Sequence, residues 1–273
     1  MGTRDRLKSA SKSASTSIDE DADATTLPST GENGSDGTSR AKGSVIIHRA
    51  FVGQGGNKIQ NITLGAGPAQ SCGTQQARAA LQEFSQHLRK LTPTVEKLFE
   101  TFLPDEHAKY TLAYDGIYNK THAEGGRDPI DQAFGIFTSR SLVINANTNN
   151  HKDLADVCQG WCAIVALGDF LGGDACFPQL GVKIDCPPGS VVFMRSYAVE
   201  HYIGSYVGER YSVVHFTHQT VHDAYAEMTG HLLWDFEKMP RSWRVPRAKL
   251  TRTGTGEGWL LLAYVFRFCN CKH

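Results

Sequence analysis

The chain has 273 residues, enough for one large domain or two small ones. Its 28 basic and 28 acidic residues balance to a formal net charge of zero, so the overall charge indicates neither a nucleic-acid-binding protein nor one that binds an anionic membrane. Any basic surface must therefore be local. With 13 Phe, 9 Tyr and 4 Trp, the chain can bury a sizeable core.

Seven cysteines are scattered along the chain, and the N-terminus lacks the apolar segment of a secretory signal. This pattern favours reduced thiols in an intracellular protein. The apolar stretch WLLLAYVF near the C-terminus is far shorter than the ~20 residues that a membrane span requires. We therefore expect no membrane association, and nothing in the sequence indicates an obligate protein partner.

The first segment, residues 1–43, is rich in Ser, Thr and Gly and has no aromatic residue and no Val. It cannot bury enough apolar surface to offset the entropy of ordering, which predicts a disordered tail. Next, SVIIHRAFV and KIQNITL flank GQGGN and favour a small hairpin. We expect the main domain to span residues 44–225 and the remainder, 226–273, to form a C-terminal extension, in which WLLLAYVF is a strand, a short buried segment or an irregular chain end.

Apolar residues upstream of residue 104 recur with helical spacing. The first series steps by three, four and three residues: Leu81, Phe84, Leu88 and Leu91. We expect Pro93 to end this helix after Thr92, and a second helix to end before Pro104. The pattern predicts helical support over about residues 74–103, packed on a sheet.

From about residue 140 the pattern changes to short apolar runs separated by Gly, Pro and Asp turn signals. No helical period interrupts them for about eighty residues, which leaves no room for the crossover helices of a layered α/β sheet. Many short strands predict a sandwich or barrel with its core over about residues 135–222. The predicted fold class is therefore mainly β with supporting α-helices.

Three side chains in this β region form a candidate metal site. His151 and Asp153 stand two residues apart, which places both on one face of an extended segment, and His201 follows fifty residues later. Two His and one carboxylate are the ligand set that holds non-haem Fe(II), with positions left open for a co-substrate and dioxygen. The spacing therefore predicts an iron centre of His151, Asp153 and His201.

Arg210 and Ser212 form a second candidate pair. They share a strand face nine and eleven residues beyond His201. A guanidinium with a neighbouring hydroxyl suits a bound dicarboxylate, since its fork pairs bidentately with one carboxylate. His215 alternates onto the opposite face, whereas His218 and His222 fall at the strand end and are candidates for contacts with the ligands or the substrate.

The candidate ligands follow an unusually polar run, NANTNNHKDLAD, which is residues 145–156. Asn145, Asn147 and Asn149 would share the face of the two ligands if the segment stays extended. We expect them to orient the ligands or the co-substrate.

The order of these motifs resembles the 2-oxoglutarate/Fe(II)-dependent dioxygenase superfamily. More narrowly, the run HKDLADVCQGWCAIVALGDFLGGDACFPQLGVKIDCPPGSVVFMRSYAVEHYIGSYVGERYSVVHFTH is similar to the TET/JBP-related oxygenase domains found in mushroom-forming fungi. The resemblance covers roughly residues 140–222 well, the preceding helical segment loosely and both ends not at all.

This resemblance implies a double-stranded β-helix, or jelly-roll, core. It implies that His151, Asp153 and His201 bind Fe(II), that Arg210 holds the distal carboxylate of 2-oxoglutarate, and that Ser212 accompanies it. It also implies an oxidoreductase that couples oxidative decarboxylation of 2-oxoglutarate by dioxygen to hydroxylation of an unactivated C–H bond.

The narrower resemblance implies oxidation of the methyl group of 5-methylcytosine in DNA, with the base flipped out of the duplex. Methylated DNA would then be the partner and the protein would be nuclear; with another substrate it would be cytoplasmic. The stretch RSWRVPRAKLTR, residues 241–252, carries five basic residues and a Trp, and is either a nucleic-acid contact or a solvated loop. The sequence lacks the cysteine-rich module that precedes the metazoan TET core.

Alternative functions remain open. A protein or small-molecule hydroxylase of the prolyl-hydroxylase type would keep the iron and change the substrate. A catalytically inactive jelly-roll binding module would be expected to lack a ligand, whereas His151, Asp153, His201 and Arg210 all occur in order. A cupin favours His where Asp153 stands and would leave Arg210 unexplained.

Overall fold

The computed structural model describes residues 42–48, 50–52, 62–64, 75–123, 135–234 and 264–267. The predicted disordered tail, apart from its last two residues, and the basic stretch 241–252 lie outside the described residues. Among the described helices, none has the length and apolar character needed to cross a bilayer. The four described cysteines, Cys158, Cys162, Cys176 and Cys186, are buried and form no disulfide with one another.

The described chain contains helix and strand in about equal shares, so the expectation of a mainly β protein is corrected to a mixed one. The helices are α1 (Gln75–Phe102), α2 (Pro104–Ala123) and α3 (Gln219–Thr229). In chain order the strands are β1 (Gly43–His48), β2 (Ala50–Val52), β3 (Ile62–Leu64), β4 (Ser139–Ile144), β5 (Cys162–Gly172), β6 (Ala175–Phe177), β7 (Val182–Ile184), β8 (Ser190–Met194), β9 (Tyr202–Ile203), β10 (Tyr206–Phe216) and β11 (Tyr264–Arg267).

The strands form antiparallel sheets, as the short runs and turn signals predict. The largest sheet has six strands in the order β1-β4-β10-β5-β8-β11, and a smaller sheet has the order β7-β6-β9. The expected hairpin is present in part, because β2 pairs with β3 while residues 53–61 between them lie outside the described residues. β1 instead joins the large sheet beside β4.

The six-stranded sheet separates two apolar cores, because successive side chains of a strand point to opposite faces. On β5, Ala163 and Val165 face a core shared with α1 and α2. Cys162, Ile164 and Ala166 face a second core, shared with the smaller sheet. Arg210 and Ser212 of β10 point to this second face, and His201 lies beside it.

Helix α1 continues through Pro93, which corrects the expectation of two helices divided there. A proline removes the hydrogen bond to the carbonyl four residues earlier, that of Arg89. Both residues are exposed, so water can hydrate that carbonyl. Burial of Val95 and Phe99, each fully enclosed, holds the following turns against the sheet.

Helix α2 extends the helical support beyond the predicted limit of residue 103. Pro104 opens it, where the missing N–H costs no intrahelical bond. The Tyr110 hydroxyl donates to the carbonyl of Trp161 and accepts from its N–H, at 2.7 and 2.8 Å, and so ties α2 to the sheet near β5.

The apolar stretch near the C-terminus contains a strand, one of the alternatives expected from the sequence. Strand β11 pairs antiparallel with β8 and forms one edge of the large sheet. Helix α3 crosses the expected domain limit at residue 225 and ends at Thr229, with Gly230 as its C-cap. Residues 235–263, which connect it to β11, lie outside the described residues.

Candidate metal centre

The structure brings the three predicted ligands together. His151 and His201 pair across an isolated antiparallel bridge, in which each backbone N–H donates to the other residue's carbonyl at 3.1 and 2.9 Å. Asp153 lies between the two rings, with Oδ1 3.5 Å from His151 Nε2 and Oδ2 3.6 Å from His201 Nε2. One donor atom from each residue lies within 4.8 Å of the other two, and this is the only such group of ligand-type side chains among the described residues.

Both imidazole rings are held with Nε2 toward the centre of the group. His151 Nδ1 lies 2.7 Å from the carbonyl oxygen of Asn149, and His201 Nδ1 lies 3.0 Å from that of Val199. A carbonyl can only accept, so Nδ1 carries the proton on each ring and the lone pair of Nε2 is available. Hydrogen bonds of this kind orient histidine ligands and increase their basicity.

The pKa shifts of His201 and Asp153 favour the protonation states in which these side chains bind a metal. Burial lowers the pKa of His201, which favours its neutral, ligating form. Burial alone would raise the pKa of Asp153, but the hydrogen bond with His151 and the charge of His201 lower it overall, so the carboxylate is ionised. The hydrogen bond to Asp153 raises the pKa of His151, which favours its protonated form until a metal ion displaces the proton from Nε2. With that proton released, two imidazoles and one carboxylate are a set that suits a divalent transition metal.

The group is open on one side. The side chains of His151 and Asp153 are 28% and 32% exposed, whereas that of His201 is 7% exposed. A metal ion held there would be reached from solvent past the first two residues, and the ligand set fills three positions. Positions would remain for further ligands, as an octahedral ion requires.

Arg210 is buried on the same face of the sheet, with 2% of its surface exposed. Its guanidinium lies over the rings of Phe170 and Tyr206, at 5.2 and 5.9 Å from the ring centroids, and Nη1 donates to the Ser212 hydroxyl. Nε and Nη2 are also buried, and neither has a hydrogen-bond partner among the described residues. Burial lowers the pKa of Arg210, although not enough to discharge it near neutral pH.

A buried guanidinium without a carboxylate partner is costly, and such an orphaned group calls for an explanation such as an anionic ligand. A small cavity lined by apolar side chains of β5, β6 and β8 has His201 in its wall. Cys186 also lines it and lies close enough to Arg210 to affect its pKa. The cavity is therefore bordered by one candidate ligand, His201, and by one neighbour of the guanidinium, Cys186.

The three histidines after Arg210 have separate positions. His215 is fully buried on the opposite face of the sheet, edge-on to Phe137, as strand alternation predicts. His218 lies near enough to Asp153 to help lower its pKa. His222 packs on Trp234 with 4.8 Å between ring centroids. The indole N–H of Trp234 in turn donates to Glu106 of α2. Of the three, only His218 remains a candidate for contacts at the site.

The polar run before His151 does not stay extended. Asn145 has a left-handed backbone with φ +46°, so the expected common face of Asn145, Asn147 and Asn149 is wrong. Asn147 is exposed, and Asn149 contributes its backbone carbonyl to His151.

Two contacts of Arg210 were not predicted from the sequence. Asn145 binds the backbone of Arg210, and Gly173 packs against its guanidinium, where an added Cβ would lie 3.0 Å from Nε. Asn is the non-glycine residue most at ease in the left-handed region, and the paired glycines of FLGGD mark positive φ, but neither signal specifies Arg210 as the partner.

Comparison with known proteins finds matches among solved structures and not among families or curated proteins. No model of a protein family matches the chain, and no curated protein matches it. The solved structures that match include "NgTET1 in complex with 5mC DNA", with a TM-score of 0.45 and 15% sequence identity over 67% of this chain and 63% of that one. The chain thus spans just under two thirds of the length of that neighbour. At this level of similarity, the function has to be inferred from the site itself.

Proposed function

We propose that the protein is an Fe(II)- and 2-oxoglutarate-dependent dioxygenase. The observation that carries the proposal is the combination of a His-Asp-His group, whose His201 lies beside the large sheet, with a buried guanidinium on that sheet whose Nε and Nη2 lack partners. The first part suits a divalent metal with open positions, and the second suits one carboxylate of a dicarboxylate. The jelly-roll core is part of the proposal, supported by the two antiparallel sheets that enclose a shared core.

In this proposal His151 and His201 present Nε2 to Fe(II), and Asp153 supplies the negative charge that offsets part of the ion's own. Arg210 pairs with the distal carboxylate of 2-oxoglutarate through Nε and Nη2, while Ser212 holds Nη1 in place. When bound, the metal supplies the activation of dioxygen that couples decarboxylation of 2-oxoglutarate to hydroxylation of a C–H bond.

The apolar walls of the cavity have a further role. Ile164, Val192 and Met194 are buried beside His201 and expose no polar group to the cavity. They exclude water from the reacting centre, which strengthens the electrostatic contacts there and suppresses side reactions. The side on which His151 and Asp153 are exposed is where the substrate would enter.

For the substrate we propose the methyl group of 5-methylcytosine in DNA, on the strength of the resemblance of residues 140–222 to TET/JBP-related domains. The basic stretch 241–252, with its Trp, is the segment we propose to contact phosphates and a base. On this proposal the protein acts in the nucleus.

The test is to incubate the protein with Fe(II), 2-oxoglutarate and methylated duplex DNA, and to measure succinate and the base composition of the DNA by mass spectrometry. We expect succinate and hydroxymethylcytosine, and neither from the Asp153→Ala protein. Succinate without base oxidation would reject the DNA substrate and direct the search to peptides and small molecules. Absence of iron-dependent succinate under all these conditions would favour a non-catalytic binding module.

A further inference from the structure

Asn145 lies opposite Arg210, at the position where strand β4 would continue. Strand β4 pairs in register with β10 up to Ile144, opposite Tyr211, so the next pair would be Asn145 with Arg210. The Asn145 N–H does donate to the Arg210 carbonyl at 2.9 Å. In the other direction, however, the Arg210 N–H donates to the side-chain Oδ1 of Asn145, also at 2.9 Å.

The left-handed backbone of Asn145 explains this exchange. With φ +46° its own carbonyl turns away from the ladder, and the carboxamide oxygen replaces it as the acceptor. The chain can therefore turn out of the sheet while the buried amide of Arg210 keeps a hydrogen-bond acceptor. Asn suits the position because it tolerates this φ and carries an acceptor at the required length.

The segment that leaves the sheet at Asn145 leads to the ligand group. Thr148 Oγ1 accepts from the N–H of Ile203 at 3.2 Å, and the Asn149 carbonyl accepts from His151 Nδ1 at 2.7 Å. Six residues thus link the backbone of Arg210 to a candidate metal ligand. The segment from Asn145 to Asn149 therefore contacts both Arg210 and the candidate ligand His151.

We propose that Asn145 is a positioning residue that holds Arg210 for the carboxylate of the co-substrate. This inference rests on the proposed function. The carboxamide fixes the Arg210 backbone where the strand pairing of β4 has ended, and the guanidinium is thereby held against Phe170 and Ser212. Asn145 hydrogen-bonds the backbone of Arg210 and lies six residues before the first candidate ligand, so its effect should fall on 2-oxoglutarate binding and leave metal affinity intact.

The experiment compares Asn145→Gly with Asn145→Asp and with Asn147→Gly. Glycine tolerates the left-handed φ but removes the acceptor, whereas aspartate tolerates the φ and retains one. Asn147 is an exposed residue of the same segment without a hydrogen bond among the described residues, so its glycine variant controls for added flexibility. Two quantities are measured by titration calorimetry under anaerobic conditions: the Kd for Fe(II), and the Kd for 2-oxoglutarate on the Fe(II)-loaded protein.

We expect Asn145→Gly to weaken 2-oxoglutarate binding about tenfold, the effect of one lost hydrogen bond to a buried amide, with the Fe(II) Kd changed less than twofold. Hydrogen exchange of the Arg210 amide should accelerate in Asn145→Gly and stay slow in Asn145→Asp and Asn147→Gly. This exchange readout requires no ligand. It therefore reports on the backbone clamp whether or not the protein is a dioxygenase.

The outcomes separate the two proposals. If the wild-type protein binds 2-oxoglutarate and Asn145→Gly binds it equally well, the positioning role is overturned and the proposed function stands. If Asn145→Gly and Asn147→Gly are weakened alike, flexibility of the segment accounts for the effect and the positioning role is again overturned. If the wild-type protein binds Fe(II) but no 2-oxoglutarate, the proposed function itself fails, and the inference fails with it.

Discussion

His151 and His201 are joined by two backbone hydrogen bonds, at 3.1 and 2.9 Å, although fifty residues separate them in the chain. Two of the three candidate ligands are thus fixed to each other through their backbones. Their rings lie 4.4 Å apart between centroids, and each Nδ1 is bound to a carbonyl. A ligand group assembled in this way is preorganised, because the metal does not have to order the chain that binds it.

Replacement of Asp153 by Ala should abolish tight metal binding. The carboxylate lies between the two imidazoles and is the group's only negative charge, so we expect the Kd for Fe(II) or Mn(II) to rise about 100-fold or more. Calorimetry measures the affinity. The matched control is His231→Ala, which removes an exposed histidine outside the group. Wild-type metal affinity in Asp153→Ala would exclude the proposed centre.

Replacement of Gly173 by Ala should disturb Arg210. An added Cβ would lie 3.0 Å from Nε and 3.2 Å from Cδ of Arg210, at a backbone φ of +72°. We expect the Kd for 2-oxoglutarate to rise about tenfold, since the guanidinium must shift to make room.

Gly181→Ala is the matched control for that substitution. Gly181 has a similar φ, +62°, but nothing lies within 4 Å of the added Cβ. Both variants should lose about 1 kcal/mol of stability from backbone strain, and only Gly173→Ala should lose co-substrate affinity. Equal 2-oxoglutarate affinities for the two variants would show that Gly173 does not support the Arg210 position.

Stability should fall as the solution is acidified, in part through His48. Burial, and secondarily the charge of His218, lower the pKa of His48 from 6.5 to about 4. Between these two values the unfolded chain binds more protons at this residue than the folded one, so the free energy of unfolding decreases as the pH falls from about 6.5 to 4.

The His48→Asn variant tests this account. Its free energy of unfolding, measured by urea denaturation, should depend less on pH over that window than that of the wild type. His231→Asn, at an exposed position, should keep the wild-type pH dependence. Identical pH profiles for wild type and His48→Asn would rule out a contribution of His48.

Phe99 should be one of the most important residues for stability. Its ring is fully buried between α2 and the sheet and lies 5.4–5.5 Å from the rings of Tyr110, Phe137 and Phe193. Phe99→Ala should cost about 3–5 kcal/mol, from lost burial and the cavity left behind. Phe102→Ala, in the last turn of α1 and 40% exposed, should cost far less by urea denaturation. Similar losses for both would mean that α1 is not anchored through Phe99.

Two features that the sequence did not predict have a common physical origin. Pro93 ends a helix by local rules, yet burial of Val95 and Phe99 outweighs one lost hydrogen bond on an exposed face. The apolar run before residue 267 is compatible with a strand, but no local pattern shows that its partner is β8, some seventy residues earlier. In both cases contacts with distant residues decide the outcome.

The sequence by itself determined what depends on strand periodicity and side-chain chemistry. It placed His151 with Asp153 and Arg210 with Ser212, and it assigned His215 to the opposite face, because alternation along a strand is a local property. The sequence also predicted His201 as a partner of His151, but the tertiary structure alone decided that an antiparallel backbone bridge joins them, and that Asn145 supplies the acceptor for the amide of Arg210. Those contacts arise from strand pairing between segments fifty or more residues apart, and pairing partners are selected by the packing of the whole sheet, which no local pattern encodes.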